Sequence, residues 1–191
     1  MTIREAILDH WLRELGPEGW YAGGEALDAD IRARFGGAWA RARAGAFDHW
    51  LDGAEGCLAF LILTDQYPRN MWRGSGDSFA TDAAALAAAK RAVAEGWDMG
   101  VPEPERQFFY LPYMHSEALA DQEECIRLFT GRMPETGADN LLHAHAHAEV
   151  IRRFGRFPYR NDALGRETTA EEADFLSGGG YMSVVEELKA R

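Results

Sequence analysis

Three histidines and five arginines crowd one stretch, His143 to Thr169, which reads HAHAHAEVIRRFGRFPYRNDALGRETT. On a helix, residues three and four apart share a face, so His143, His147, Ile151 and Phe154 form one stripe and both imidazoles point inward. His145 falls on the opposite side with Glu149 and Arg152 and is expected in water. Five arginines (152, 153, 156, 160, 166) stand against one acid, Asp162, in the 15 residues that follow the helix core. Such a cationic segment requires acidic neighbours or an anionic ligand, and an inward histidine supplies a proton carrier near neutral pH.

Two further polar positions lie on apolar faces. Asp65 follows Ile62, Leu61 and Leu58 at three, four and seven residues, and His115 follows Leu111 and Phe108 at four and seven. Glu117 and Gln122 are close to His115 in the chain. A buried charge needs a partner, and Arg69, Arg156, Arg160 and Arg166 are the nearest supply. Three chemistries compete for this set. Arginines can tie helix ends together through carboxylates and carbonyls, with no ligand involved. Alternatively, Arg69, Asn70, Gln122, Arg156, Arg160, Asn161 and Arg166 bind a small anion, with His115, His147, Asp65 and Glu117 as the candidate proton-handling groups. A metal held by His143, His147 and a carboxylate is sterically feasible at this spacing, but no HExxH-type signature accompanies it and no metal or other cofactor is assigned. Neither Ser75 nor Ser116 sits in a nucleophile elbow.

The elements that position these groups read as helices. Thr2 and Glu5 make a capping box ahead of the stripe Ile3, Ile7, Leu8, Trp11, Leu12, Leu15, which predicts a helix over 3–15 ending at Gly16-Pro17. A second helix carries Leu27, Ile31, Phe35 and Trp39, with a kink at Gly36-Gly37. Cys57 to Thr64 is apolar all round and, with no strand partner in sight, reads as a central buried helix that gives way to DQYPRNMWRGSG. Further helices are expected over 82–94 (capped by Thr81, stopped by Gly96), from Pro102 and Pro104 through Leu111 with an interruption at Pro112, over 121–129, and up to Phe154 with Gly155 as its stop. Thr169 and Glu172 form a second capping box, and Gly178 to Gly180 joins a short C-terminal helix. The fold class is therefore all-α, a single helical domain over 1–177 followed by the glycine joint and helix of 178–191. Tyr67-Pro68-Arg69-Asn70 with Arg73-Gly74, and Phe157-Pro158-Tyr159-Arg160-Asn161 with Gly165-Arg166, suggest two equivalent helix-exit corners. No repeat period near 34 residues is legible between them.

Composition limits the function classes. The chain has 191 residues, 47% of them hydrophobic, and a formal charge of -11, which excludes disorder and argues against nucleic-acid or acidic-membrane binding. The longest apolar run, Cys57 to Leu63, is far short of a membrane span. With no basic-then-apolar N-terminus and with isolated Cys57 and Cys125 reading as thiols, the protein is expected in the cytoplasm.

The blocks LAFLILTDQYPRNMWRG, FFYLPYMHSEALADQ and HAEVIRRFGRFPYRNDALGRETTAEEADFL resemble the signature of the bacterial family known as domain of unknown function 924. The resemblance runs from LDHWL near the N-terminus to Phe175-Leu176. It implies a tetratricopeptide-repeat-like helical array, with no established activity. Asp65, Gln66, Arg69, Asn70, His115, Glu117, Gln122, His147, Arg156, Arg160, Asn161 and Arg166 fall on its motif positions, whereas Tyr159 stands where the pattern has His. The expected function is binding of a small anionic molecule, with turnover left open; the alternative is a helical-repeat module that takes a protein partner on a concave face. In the first case Asp65, Arg69, His115, Glu117, His147, Arg156 and Arg160 are expected to converge.

Overall fold

The structure, a computed structural model, describes residues 1–190, and every regular element among them is helical. The chain packs as two compact units, Met1–Pro112 and Tyr113–Arg191.

In the first unit the Thr2 hydroxyl accepts the Glu5 N–H at 3.2 Å while the Glu5 carboxylate accepts the Thr2 N–H at 2.7 Å, so the capping box opens α1 (Ile3–Asp9). A π-helical stretch, His10–Leu15, continues it to Gly16, whose φ of 62° needs glycine, and one further turn, α2 (Gly16–Gly19), follows. The widened turns place His10 and Trp11 in the core, with His10 Nδ1 2.8 Å from the Tyr67 hydroxyl. Helix α3 (Glu25–Arg43) runs unbroken through Gly36-Gly37, correcting the kink expected there. The reason is packing: Ile31, Phe35, Ala38, Trp39 and Ala42 form one buried face across the glycines, and Gly37 is exposed on the other.

The central apolar segment is a helix, as its hydrophobicity on all sides suggests, but it does not end at Asp65. Helix α4 (Ala54–Leu61) passes into a π-helical stretch, Ile62–Gln66, and then α5 (Tyr67–Met71), which contains Pro68. Proline is tolerated because it stands in the first turn after the register change, where its missing N–H breaks no i→i−4 ladder. Helix α6 (Asp82–Ala94) stops at Gly96, φ 71°. Thr81 does not cap it by side chain; its hydroxyl donates to the Thr64 carbonyl at 2.6 Å and accepts the Trp39 indole N–H at 3.2 Å. The helix expected from Pro102 to Leu111 is reduced to a 3-10 turn, Glu105–Phe109, because Pro102 and Pro104 remove two of the donors a longer ladder would need. One turn, α7 (Leu111–Met114), with Pro112 second in it, straddles the division of the chain.

The second unit holds α8 (Leu119–Arg132), α9 (Ala138–Phe154), α10 (Ala170–Ser177) and α11 (Gly180–Lys189). Helix α9 packs against both α8 and α11, and Ala146, Val150, Ile151, Phe157, Val184 and Val185 form the core. Gly155 closes α9 at φ 67°, its N–H reaching the Ile151 carbonyl at 2.8 Å.

The glycines of the first unit give opposite expectations. A Cβ at Gly56 would stand 2.2 Å from the Trp50 carbonyl oxygen, whereas one at Gly37 meets nothing within 4 Å. Gly56→Ala should destabilise by about 1 to 3 kcal/mol, and Gly37→Ala should stabilise by up to about 1 kcal/mol. Denaturant unfolding that found the same sign for both would contradict this packing.

Candidate functional site

The first unit carries Asp65, Gln66, Arg69 and Asn70 of the candidate residues. Asp65 and Gln66 are buried on the π-helical stretch, the Gln66 amide donating to the Asp65 carboxylate. One turn on, the Arg69 guanidinium donates to the Asp65 carbonyl at 2.9 Å and to the Ser78 carbonyl at 3.3 Å, and forks onto Asp82 at 3.0 and 3.1 Å. It also lies 3.6 Å from a carboxylate oxygen of Asp65. Asn70 donates to Asp28 at 3.0 Å, and Arg73 forks onto the same carboxylate at 2.9 and 3.1 Å. Burial alone would raise the Asp28 pKa, but Arg73 and Asn70 outweigh it and hold the carboxyl below its ordinary value.

The second unit repeats this chemistry at the exit of α9. Glu117 accepts the Phe157 N–H at 2.8 Å and a fork from Arg166 at 2.8 and 3.0 Å. Against its burial, that fork and the Phe157 N–H keep Glu117 below the usual carboxylate range. Glu172, predicted from sequence as part of a capping box, accepts the Thr169 N–H at 2.9 Å, the Arg156 fork at 2.6 and 2.8 Å and the Asn161 amide at 3.2 Å. The Arg156 hydrogen bonds are the largest influence in pulling its pKa from 4.5 down to about 2. Gln122 is buried and spends its amide N–H groups on the carbonyls of Tyr113, Met114 and Ser116, so it fixes the loop carrying His115, which is itself half-buried.

Phe157, fully buried, joins the remaining candidates. The Arg160 guanidinium lies over its ring at 4.5 Å from the centroid and near Tyr159 at 5.9 Å, with only 5% of the residue exposed. The His147 ring meets Phe157 edge-on at 5.3 Å and Tyr181 at 4.7 Å. The stripe predicted to turn His143 and His147 inward does so, both being half-buried, while His145 is exposed. His147 Nδ1 donates to the His143 carbonyl at 2.9 Å. Burial pushes the His147 pKa down to about 3, opposed by that carbonyl and helped by the positive fields of His115, Arg160 and His143. His143 Nδ1 meets the Tyr181 hydroxyl at 2.5 Å and its Nε2 lies 3.7 Å from Asp139. Among the described residues no three His, Cys, Asp or Glu side chains are grouped to hold a metal ion.

Sequence reasoning missed Asp28, Asp82 and Tyr181. The two acids are distant in the chain from the arginines they meet and carry no local signal. Tyr181 does: Tyr181, Val184, Val185 and Leu188 have the spacing of an apolar helix face, which is the face packed into the core.

A family model described as bacterial protein of unknown function (DUF924) matches residues 7–180. The structure of a protein of unknown function, ATU0120, from Agrobacterium tumefaciens is similar over 91% of this chain and 96% of that one, with 40% sequence identity and a TM-score of 0.84. Among curated proteins no similar sequence is found.

A depressed carboxyl stabilises the fold fully above the ordinary pKa, and this contribution disappears as pH falls through the folded value. For Glu172 the window runs from 4.5 down to about 2. Glu172→Gln should therefore lower the melting temperature at neutral pH and flatten the loss of stability across that acid window. An unchanged melting temperature and acid profile would show that the corner does not depend on this charge.

Proposed function

The chain belongs to the DUF924 family of bacterial proteins of unknown function, and within it we propose that the second unit binds a small anionic molecule where Arg160 and His147 meet Phe157. What supports this reading is a half-buried imidazole, His147, edge-on to the ring over which the Arg160 guanidinium lies, in a field that Arg160 makes positive. An anion is the species such a field stabilises, and a guanidinium resting on an aromatic face is well placed to receive one.

In this reading the other arginines have a different task. Arg156 and Arg166 are occupied by Glu172 and Glu117, and Arg69 and Arg73 by Asp82 and Asp28, so they and the amides of Asn161 and Asn70 hold the corners in shape. Glu117 holds the turn through the Phe157 N–H, and Gln122 holds the His115 loop. His115 and His147 are the groups placed to carry a proton; His147, neutral at physiological pH, becomes a competent base only when an anion beside it offsets the positive field. The buried free thiols of Cys57 and Cys125 support a reducing compartment, the cytoplasm, as the setting.

Ligand binding to the native state raises stability by RT ln(1 + [L]/Kd), about 2.7 kcal/mol at a hundredfold excess over Kd. Inorganic phosphate or a small carboxylate should therefore raise the melting temperature of the wild type and of the exposed-arginine control Arg152→Ala. The rise should shrink in Arg160→Lys and vanish in Arg160→Ala. No rise in the wild type, or the same rise in folded Arg160→Ala, would overturn the assignment.

A further inference from the structure

We infer that the first unit binds a small organic cation with a saturated hydrocarbon body, an alkylammonium, in a cleft between α1, the start of α4 and the loop of residues 100–105. This cleft shares no residue with the corner proposed to take an anion.

The apolar stripe that predicts the first helix is wider than the core it serves. Ile7 and Trp11 are fully buried, whereas the next residues along, Leu8 and Leu12, are only half-buried and line the cleft. Leu58 of α4 and Val101 and Pro102 of the loop complete an apolar lining around a volume of about 510 Å³. Small-molecule sites typically occupy roughly 300–1,000 Å³, with apolar walls that hold the body of the ligand and a few polar groups that orient it. The cleft has those dimensions and that kind of wall.

Charge selects the ligand. The charged side chains that line the cleft are four carboxylates, of Glu5, Asp9, Glu55 and Glu105, and one guanidinium, of Arg13. Arg13 is engaged by Asp9 at 2.9 Å, Arg4 lies 3.5 Å from Glu55, and Glu5 accepts the Thr2 N–H at 2.7 Å. Glu105 is half-buried and, among the described residues, meets no cation. The positive end of α4 reaches the cleft at Ala54, and Glu55 in its first turn offsets it. A negative excess beside apolar walls repels carboxylates and phosphates and gives a neutral ligand no electrostatic gain. An alkylammonium answers both features: its charged head, a donor only, meets the Glu105 carboxylate, and its chain covers Leu8, Leu12 and Leu58.

Four probes titrated calorimetrically into the full chain near neutral pH, where an alkyl amine is charged as lysine is, test this: n-hexylammonium, n-butylammonium, 1-hexanol and hexanoate. Hexylammonium should bind and hexanoate should not. Hexanol, the same body without the charge, should bind roughly 10-fold or more weakly, the effect of a hydrogen bond to a charged group. Each buried methylene corresponds to about 4-fold, so butylammonium should be weaker than hexylammonium by on the order of 10-fold. Glu105→Gln should weaken hexylammonium by roughly 10-fold, whereas Glu95→Gln, which removes the same charge from an exposed position outside the cleft, should leave its affinity unchanged. In the wild type, the methyl resonances of Leu8, Leu12 and Leu58 should move with hexylammonium while those of Leu128, buried in the second unit, stay put, a reading that needs no variant. Failure of hexylammonium to bind, equal affinity for hexanol or hexanoate, equal effects of the two substitutions, or methyl shifts confined to residues outside the cleft would each overturn the inference.

Discussion

The turn that leaves α9 carries its arginines through a space already bounded by helix ends, and it can fold back there because two carboxylates meet it. Glu172 takes the Arg156 fork, the Asn161 amide and the Thr169 N–H; Glu117 takes the Arg166 fork and the backbone of Phe157. Each acid joins a point before or after the turn to a point inside it. Removing one leaves a guanidinium and a backbone N–H without their acceptor in a partly desolvated place, the arrangement in which a lost hydrogen bond is most expensive. Phe157 owes its place over the core, and Arg160 its place on Phe157, to these two contacts.

The first unit solves the same problem with the same parts. Asp28 receives an arginine fork from Arg73 and an amide from Asn70, as Glu172 receives them from Arg156 and Asn161. At both exits one acid is held jointly by an arginine and an asparagine, although those arginines, Arg73 and Arg156, lie outside the shared runs that contain Arg69 and Arg160. Arg69, Arg156 and Arg166 each pair with a carboxylate, of Asp82, Glu172 and Glu117 in turn. In the proposed reading, what the ties position is His147.

Much of the helical frame was legible because its signals are local. Both capping boxes, the Gly96 and Gly155 stops and the inward stripe of α9 depend on residues within a turn or two of each other. The π-helical stretches His10–Leu15 and Ile62–Gln66 were not legible, since a widened turn depends on how His10 and Tyr67, 57 positions apart, meet in the core. Proline at 68 then reads as a stop when the register around it is unknown. For the candidate site, the arginines and histidines were visible as types out of place in an acidic, apolar chain. Their partners were not, because Glu117 and Arg166 lie 49 positions apart and nothing in either segment names the other.

The proposed function centres on His147, an imidazole that burial keeps neutral and that an anion would bring to a higher midpoint. Titration of the histidine side chains by NMR, with and without saturating phosphate, reads it directly. Without phosphate His147 should remain neutral at about pH 5, where an ordinary histidine is mostly charged, and with phosphate its midpoint should rise because the anion offsets the field of Arg160 and His115. A His147 that titrates near 6.5 in both conditions would contradict both the burial argument and the proposed site.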